Sequence, residues 1–311
     1  MIRRKFLKKL TFAGTAVTVG ALLNPIPLFG SSRTKKLRIA HITDTHVYNA
    51  RNCPGKMDQF IEKLLEINPQ PDLIFHTGDV IMEALAGSKA TIKGQWDLWN
   101  RKWEAVPIET KYAIGNHDIH GNASGDRSSP SFGKQWMIDE LQMPGRYYDF
   151  QRDGWHFIVL DSTQNINGQK YDARIDLEQE HWLIDKLSGI SQNTPVMIVS
   201  HIPILSSSVS SWAPTAKVRQ FPTPYYFHQD SDRIQEIFKT WGAGKVRLCI
   251  SGHIHMTDKL TSFGVDYLGG GAVCGRWWGS SVFRKTHCGF SMIDLFSDGS
   301  YKRTYYIYEW K

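Results

Sequence analysis

Short apolar runs that alternate with stretches of helical period fill this chain from residue 37 onward, and that alternation limits its fold more than any other feature. Runs at 37–43, 72–77, 112–115, 147–151, 155–161, 195–200 and 246–251 read as strands, and later ones fall at 259–262, 266–268, 289–295 and 302–309. Helical spacing fits 57–68, 95–105, 133–141, 177–187 and 231–241, with Trp96, Trp99 and Trp103 forming a core stripe. No low-complexity linker or internal repeat interrupts the pattern, so the expectation is a single α/β domain. Residues 202–229, rich in Ser, Pro and aromatics, have no clear period and read as a long surface loop.

The 311 residues are 41% hydrophobic, enough for a sizeable core, which excludes collagen, coiled-coil and fully disordered classes. A formal charge of +7 invites a nucleic-acid partner, but nine of the 37 Lys and Arg lie in residues 1–38, which carry no acid. The remaining 28 face 30 Asp and Glu, so the body is nearly neutral and no nucleic-acid scaffold role is expected. The basic cluster Arg3-Arg4-Lys5-Phe6-Leu7-Lys8 precedes a weakly apolar stretch and breaks at Pro25 and Pro27, the layout of an export signal. It resembles the bacterial twin-arginine signal. That resemblance implies a leader over 1–33, a domain over 34–311, the twin-arginine machinery as a partner, and an exported product. The product would be periplasmic or attached to the outer side of the inner membrane. With Thr11, Gly14, Thr15, Thr18 and Gly20 inside it, the stretch makes a poor permanent anchor. Cys53, Cys249, Cys274 and Cys288 show no CxxC spacing, which argues against zinc-ribbon and thioredoxin-like sites. Cys249 reads as a buried small hydrophobe, while Cys274 and Cys288 remain open to either a disulfide or two thiols.

Residues able to hold a metal recur where the strands end, the place at which open α/β sheets bind ligands. In order they are Asp44-Thr45-His46, Gly78-Asp79, Gly115-Asn116-His117-Asp118, His201 and Gly252-His253-Ile254-His255. In extended backbone, residues i and i+2 share a side, which predicts that Asp44 converges with His46 and His253 with His255. Gly78, Gly115 and Gly252 each precede a candidate ligand, where a missing Cβ permits a sharp turn or close approach.

This ordered set resembles the calcineurin-like metallophosphoesterase superfamily, and its block pattern is similar to the bacterial cyclic-nucleotide phosphodiesterase-like branch. The resemblance implies a four-layer α/β/β/α sandwich of two mixed sheets flanked by helices. It also implies a two-metal centre, with Asp44, His46 and His255 on one ion, Asn116, His201 and His253 on the other, and Asp79 bridging. Imidazole mixed with carboxylate suits Mn, Fe, Zn or Ni. Two divalent ions against the charges of Asp44 and Asp79 leave a net +2 for a small phosphate ester, monoester or diester, which a metal-held hydroxide attacks. His117 would face the substrate as general acid or phosphate donor. Asp118 would orient a ligand or His117, or cap the following turn. Two alternatives stay beside this reading: a catalytically silent phosphate- or metal-binding protein of the same fold, and a dedicated nucleotide or lipid-headgroup phosphodiesterase. Purple acid phosphatases carry Tyr three residues after Gly-Asp, where this chain has Met82, so the redox-active variety is disfavoured.

Outside the blocks, His41 and His76 are the best candidates for supporting the ligands, and the other histidines read as structural. Two aromatic groups follow or separate the blocks, one with Trp212, Phe221, Tyr225, Tyr226 and Phe227, the other Gly269 to Trp278 with Arg276 and Trp277. Packing is the simpler expectation for both, although a Gly-rich turn with paired Trp also suits stacking on a base or sugar.

Overall fold

Strands β1 (Lys35–Ile42), β2 (Leu73–His76), β3 (Thr110–Tyr112), β14 (Gly289–Phe296) and β15 (Tyr301–Ile307) form one sheet in the order β15-β14-β1-β2-β3. A second sheet is built from β4 (Tyr148–Arg152), β5 (Trp155–Val159), β8 (Val196–Val199), β9 (Val246–Ser251), β10 (Thr257–Ser262) and β11 (Val265–Gly270), ordered β10-β11-β9-β8-β5-β4. Both are mixed: β1, β2 and β3 run parallel, as do β5, β8, β9 and β11, while β14 and β15 in the first sheet and β4 and β10 in the second pair antiparallel with their neighbours. Two small hairpins, β6 (Thr163–Asn167) with β7 (Lys170–Ala173) and β12 (Val282–Phe283) with β13 (Thr286–His287), were not foreseen from the sequence. The computed structural model describes residues 33–121, 132–167, 170–208 and 225–310. Apart from Arg33, the expected leader lies outside the described residues, as do Trp212 and Phe221.

Alternation along β5 shows why the sheets stack. Phe157 and Val159 join the cluster that contains β1, β2 and the helices α1 (Cys53–Leu65) and α2 (Lys89–Trp103). Ile158, pointing the other way, packs with α4 (Leu177–Gly189) and α5 (Ser231–Thr240) through Leu183, Leu187, Ile234 and Ile237. Between the sheets Phe75 of β2 meets Phe157 at 5.3 Å and Phe150 at 6.1 Å. On the opposite face of β2, His76 lies edge-on to Trp99 of α2 at 5.3 Å. The layers are therefore helix, sheet, sheet, helix, the four-layer α/β/β/α sandwich expected. A short α3 (Gln135–Glu140) contributes Met137 to the first cluster. The tryptophan stripe packs inward as anticipated, with Trp96 and Trp99 buried and Trp103 stacked on Trp99 at 4.5 Å.

Differences from the expected boundaries have local causes. Helix α1 begins at Cys53 because Pro54 occupies its first turn, where no N–H is needed. Helix α2 begins behind Ser88, whose hydroxyl accepts from the Thr91 N–H at 3.2 Å. Strand β3 ends at Tyr112, paired with His76, and leaves 113–115 to turn into the site. All four cysteines are buried free thiols. Among the described residues no helix is long and apolar enough to cross a membrane.

Candidate metal centre

The five polar blocks follow the C-terminal ends of β1, β2 and β3 in one sheet and of β8 and β9 in the other. Backbone bonds stitch these loops together: Asp44 N–H donates to Gly78 O at 3.1 Å, His46 N–H to Asp79 O at 2.9 Å, and Gly252 N–H to His201 O at 2.9 Å. The loops are not extended, contrary to expectation. Asp44 (φ 53°), His46 (φ 42°), Asp79 (φ 54°), His253 (φ 68°) and His255 (φ 54°) all adopt the left-handed region, a strained conformation that clusters at functional sites. Asp44 and His46 do converge, whereas His253 and His255 diverge to opposite ends of the site.

At one end Asp44 Oδ1 lies 3.2 Å from His255 Nε2 and 3.7 Å from His46 Nε2, and the two Nε2 atoms are 3.1 Å apart. At the other end His201 Nε2 is 3.0 Å from Asn116 Oδ1 and 3.2 Å from Asp79 Oδ2. Asp79 Oδ2 also lies 3.5 Å from His46 Nε2, so its carboxylate sits between the two ends. His253 joins the second end, its Nε2–H donating to Tyr225 O at 2.7 Å and leaving Nδ1 with the lone pair. Among the described residues, three groups of side chains have ligand atoms within 4.8 Å of one another and could hold a metal: His46 with Asp79 and His117, Asp79 with His201 and His253, and His46 with His255 and Cys274.

A cation fits this geometry better than a hydrogen-bond network does. Asp44 Oδ1 is buried without a hydrogen-bond partner. His255 Nδ1–H donates to Gly275 O at 2.9 Å, so its Nε2 lone pair is turned into the site toward Asp44 Oδ1 and His46 Nε2, an arrangement that a shared positive charge satisfies. Burial opposes ionisation of both aspartates, but His255 holds Asp44, and His201 with His117 hold Asp79, well below the ordinary carboxylate range. Burial lowers His46 to about 4 and His253 to about 3, the neutral state that ligation needs. Burial also disfavours charge on His201, yet the Asp79 carboxylate raises it to about 9. The glycines are sterically required. A Cβ on Gly252 would come 1.9 Å from Thr43 Oγ1 and 2.4 Å from Asp44 Oδ2, and one on Gly115 would come 1.9 Å from Asp79 N.

The model of the calcineurin-like phosphoesterase family matches residues 37–257. This chain belongs to that family. It is therefore a hydrolase of phosphoric esters, and the family uses divalent metals. The chain is 25% identical over 275 residues to a 3',5'-cyclic-nucleotide phosphodiesterase of Nostoc sp., a match that covers 85% of this chain and 90% of the relative. It is 23% identical over 244 residues to a cAMP/cGMP dual specificity phosphodiesterase of Mycobacterium tuberculosis, covering 76% of this chain and 67% of that one. A dimetal phosphatase from Danio rerio shares the fold with a TM-score of 0.61 at 14% identity, over 84% of this chain and 93% of that one.

Around the ligand cluster of this phosphoesterase, His117 lies edge-on to His46 with ring centroids 4.7 Å apart. Its Nδ1 is 2.6 Å from Met82 O, and its backbone N–H donates to Asp79 Oδ1 at 2.8 Å. Of the roles expected for Asp118, its contacts are those of a carboxylate that braces a ligand's loop. Its side chain neither bonds His117 nor caps the following turn, but closes its own 3₁₀ turn by accepting from Gly115 N–H at 3.1 Å. Its other oxygen accepts from Val80 N–H and Ile81 N–H at 2.8 and 3.1 Å, which fixes the loop that presents Asp79. Burial and the nearby Asp79 raise its pKa to about 7. His76 braces two loops at once, since Nδ1 accepts from Gly78 N–H at 3.2 Å and Nε2 bonds Thr45 Oγ1 at 3.0 Å. His41 bonds Thr77 Oγ1 at 3.0 Å. Sequence reasoning missed Thr43, whose hydroxyl donates to Asp44 Oδ2 at 2.6 Å, and gave Trp278 only as one of a Trp pair, without the contacts of its Nε1–H, 2.9 Å from Thr45 O and 3.1 Å from His46 O. Only the position of Thr43 beside Asp44 offered a signal for the first, and nothing in the Trp pair separated its members.

Proposed function

We propose that this phosphoesterase is exported and cleaves a small phosphate ester at a dinuclear transition-metal centre, with 3',5'-cyclic nucleotides the first substrates to test. The observation that carries the reading is the Asp79 carboxylate standing between two imidazole clusters, 3.5 Å from His46 Nε2 and 3.2 Å from His201 Nε2. Asp44, His46 and His255 would hold one ion, Asn116, His201 and His253 the other, with Asp79 shared. The bound pair supplies Lewis acidity that activates water and neutralises charge on the phosphate. Mn, Fe, Zn or Ni suits the donor set.

The chain's own groups do the rest. With Nδ1–H of His117 anchored on Met82 O, only Nε2 is left to face the ester. To hand a proton to the leaving oxygen from Nε2, the ring must first carry both protons, and afterwards it is neutral while the Nδ1 anchor stays intact. Asp118 keeps the Asp79 loop and the His117 turn in register through three backbone N–H groups. The names of the two bacterial relatives favour cyclic nucleotides. Export rests on the Arg3-Arg4-Lys5-Phe6-Leu7-Lys8 cluster.

The test is turnover by metal-loaded full-length protein on a 3',5'-cyclic nucleotide, a nucleoside monophosphate, a glycerophosphodiester and an aryl phosphate. At least one should be hydrolysed, and Asp79→Ala should lower that rate by on the order of a thousandfold. Undiminished activity in Asp79→Ala, or none in the loaded wild type, contradicts the proposal.

A further inference from the structure

Between β11 and β12 two adjacent tryptophans take different places. Trp278 is fully buried, and its Nε1–H is spent on Thr45 O and His46 O, so it is part of the frame that shapes the first ligand loop. Trp277 stays partly exposed beside a cluster of buried ligand candidates. Its indole centroid lies 4.8 Å from the ring of His255, 6.3 Å from that of His46 and 5.7 Å from that of Phe283. His46 is thus bordered by Trp277 and, at 4.7 Å, by His117, the residue read above as facing the leaving oxygen.

Placing the indole there is costly for the backbone. Trp277 (φ 46°) and Trp278 (φ 60°) are consecutive left-handed residues, a conformation unfavourable for bulky side chains and usual for Gly or Asn. Contacts from outside the loop hold it: Arg51 Nη1–H donates to Trp277 O at 3.0 Å and Lys56 Nζ–H to Trp278 O at 2.7 Å. Within the loop, Trp278 N–H donates to Cys274 O at 2.8 Å and Arg276 N–H to Ser280 O at 2.8 Å. The result is a flat, electron-rich surface with a part left uncovered, held beside the end of the site formed by His46 and His255. A flat heteroaromatic ring is the chemistry that such a surface recognises, and stacking tolerates any base because every base has a π-face.

We propose that Trp277 is a specificity-determining residue, the stacking platform for a planar group carried by the phosphate ester, a nucleobase above all. The proposal rests on the function given above and narrows its substrates to nucleotides.

Its test compares adenosine 5'-phosphate with ribose 5-phosphate, which share sugar and phosphate and differ in the base. Dissociation constants are measured by calorimetry on metal-loaded full-length protein at a temperature where neither is turned over. The wild type should bind the adenosine compound about tenfold or more tightly than ribose 5-phosphate. Trp277→Ala should bring that ratio near one while leaving ribose 5-phosphate affinity and metal content unchanged, and Trp277→Tyr should restore most of it. Trp277→Leu, which keeps apolar bulk but has no stacking face, should behave as Trp277→Ala does and serves if the smaller residue loosens the fold. A ratio unchanged in Trp277→Leu, or a wild type that binds both compounds equally, overturns the proposal alone. A metal-loaded wild type that binds neither overturns the proposal together with the function it rests on.

Discussion

Several ligand candidates are held by neighbours with no metal-binding chemistry of their own, and Gly252, like Gly115, is tightly constrained among them. Its substitution by Ala sets a methyl group 1.9 Å from Thr43 Oγ1 and 2.4 Å from Asp44 Oδ2. Gly252→Ala should therefore reduce kcat/KM at least a hundredfold and destabilise by about 1–3 kcal/mol, as overpacking does. Gly94→Ala is the control. Its Cβ meets nothing within 4 Å inside helix α2, so it should stabilise by about 0.5–1 kcal/mol and leave turnover alone. Kinetics with thermal melts on the two variants check both. A second prediction concerns pH. His76 accepts the Gly78 N–H on Nδ1, a bond that its protonated form cannot make, and burial lowers its pKa to about 3; burial does the same to His41. A histidine whose folded pKa is depressed leaves the unfolded chain binding the extra proton. Stability is then full above about pH 6.5 and should fall by roughly 1.4 kcal/mol per pH unit below it for each such residue. Denaturant titrations from pH 7 to 5 measure this, and a flat profile contradicts it. The identities of these residues were legible because Asp, His and Asn are few among apolar runs. Their left-handed backbone was not legible, because nothing in Asp44 or His253 marks them as departing from the strand that precedes them.

Strands β5, β8 and β9 were readable as elements because each is an almost wholly buried and mostly apolar run, broken only by His156 in β5 and by the exposed Arg247 in β9. The hairpins β6–β7 and β12–β13 lack such a run, and the second has two residues per strand, too few to show any period. Helices α1 and α2 start four and six residues before the stretches whose helical spacing is readable, α1 with Pro54 in a permitted first turn and α2 behind the Ser88 cap. The contribution of the loop after β11 was the least legible, since Trp277 and Trp278 are the same residue type with different surroundings. Trp278→Phe keeps the buried ring and removes the N–H that meets Thr45 O and His46 O. It should cost about 1–3 kcal/mol and weaken metal retention while the secondary structure is kept. Melting curves with metal analysis read this out, and an unchanged midpoint with full metal content contradicts it.

Across the whole molecule, stacking two sheets face to face sets the C-terminal ends of β1, β2 and β3 against those of β8 and β9, and residues drawn from positions 44 to 255 meet there. The order of the blocks made this fold legible before any coordinates, whereas substrate selection depends on loops that carry no comparable motif. The surplus of positive charge lies in the first 38 residues, outside the site, and it is the feature on which the proposed export rests. Replacing Arg3 and Arg4 by Lys should leave the protein in the cytoplasm of a host whose twin-arginine pathway exports the wild type. Equal appearance of both in the periplasmic fraction contradicts that assignment. The most direct test of the metal centre is anomalous X-ray scattering from crystals of the metal-loaded protein. Two peaks about 3.5–4 Å apart, one on each side of the Asp79 carboxylate, are expected. A single peak, or a pair that does not share Asp79, contradicts the account.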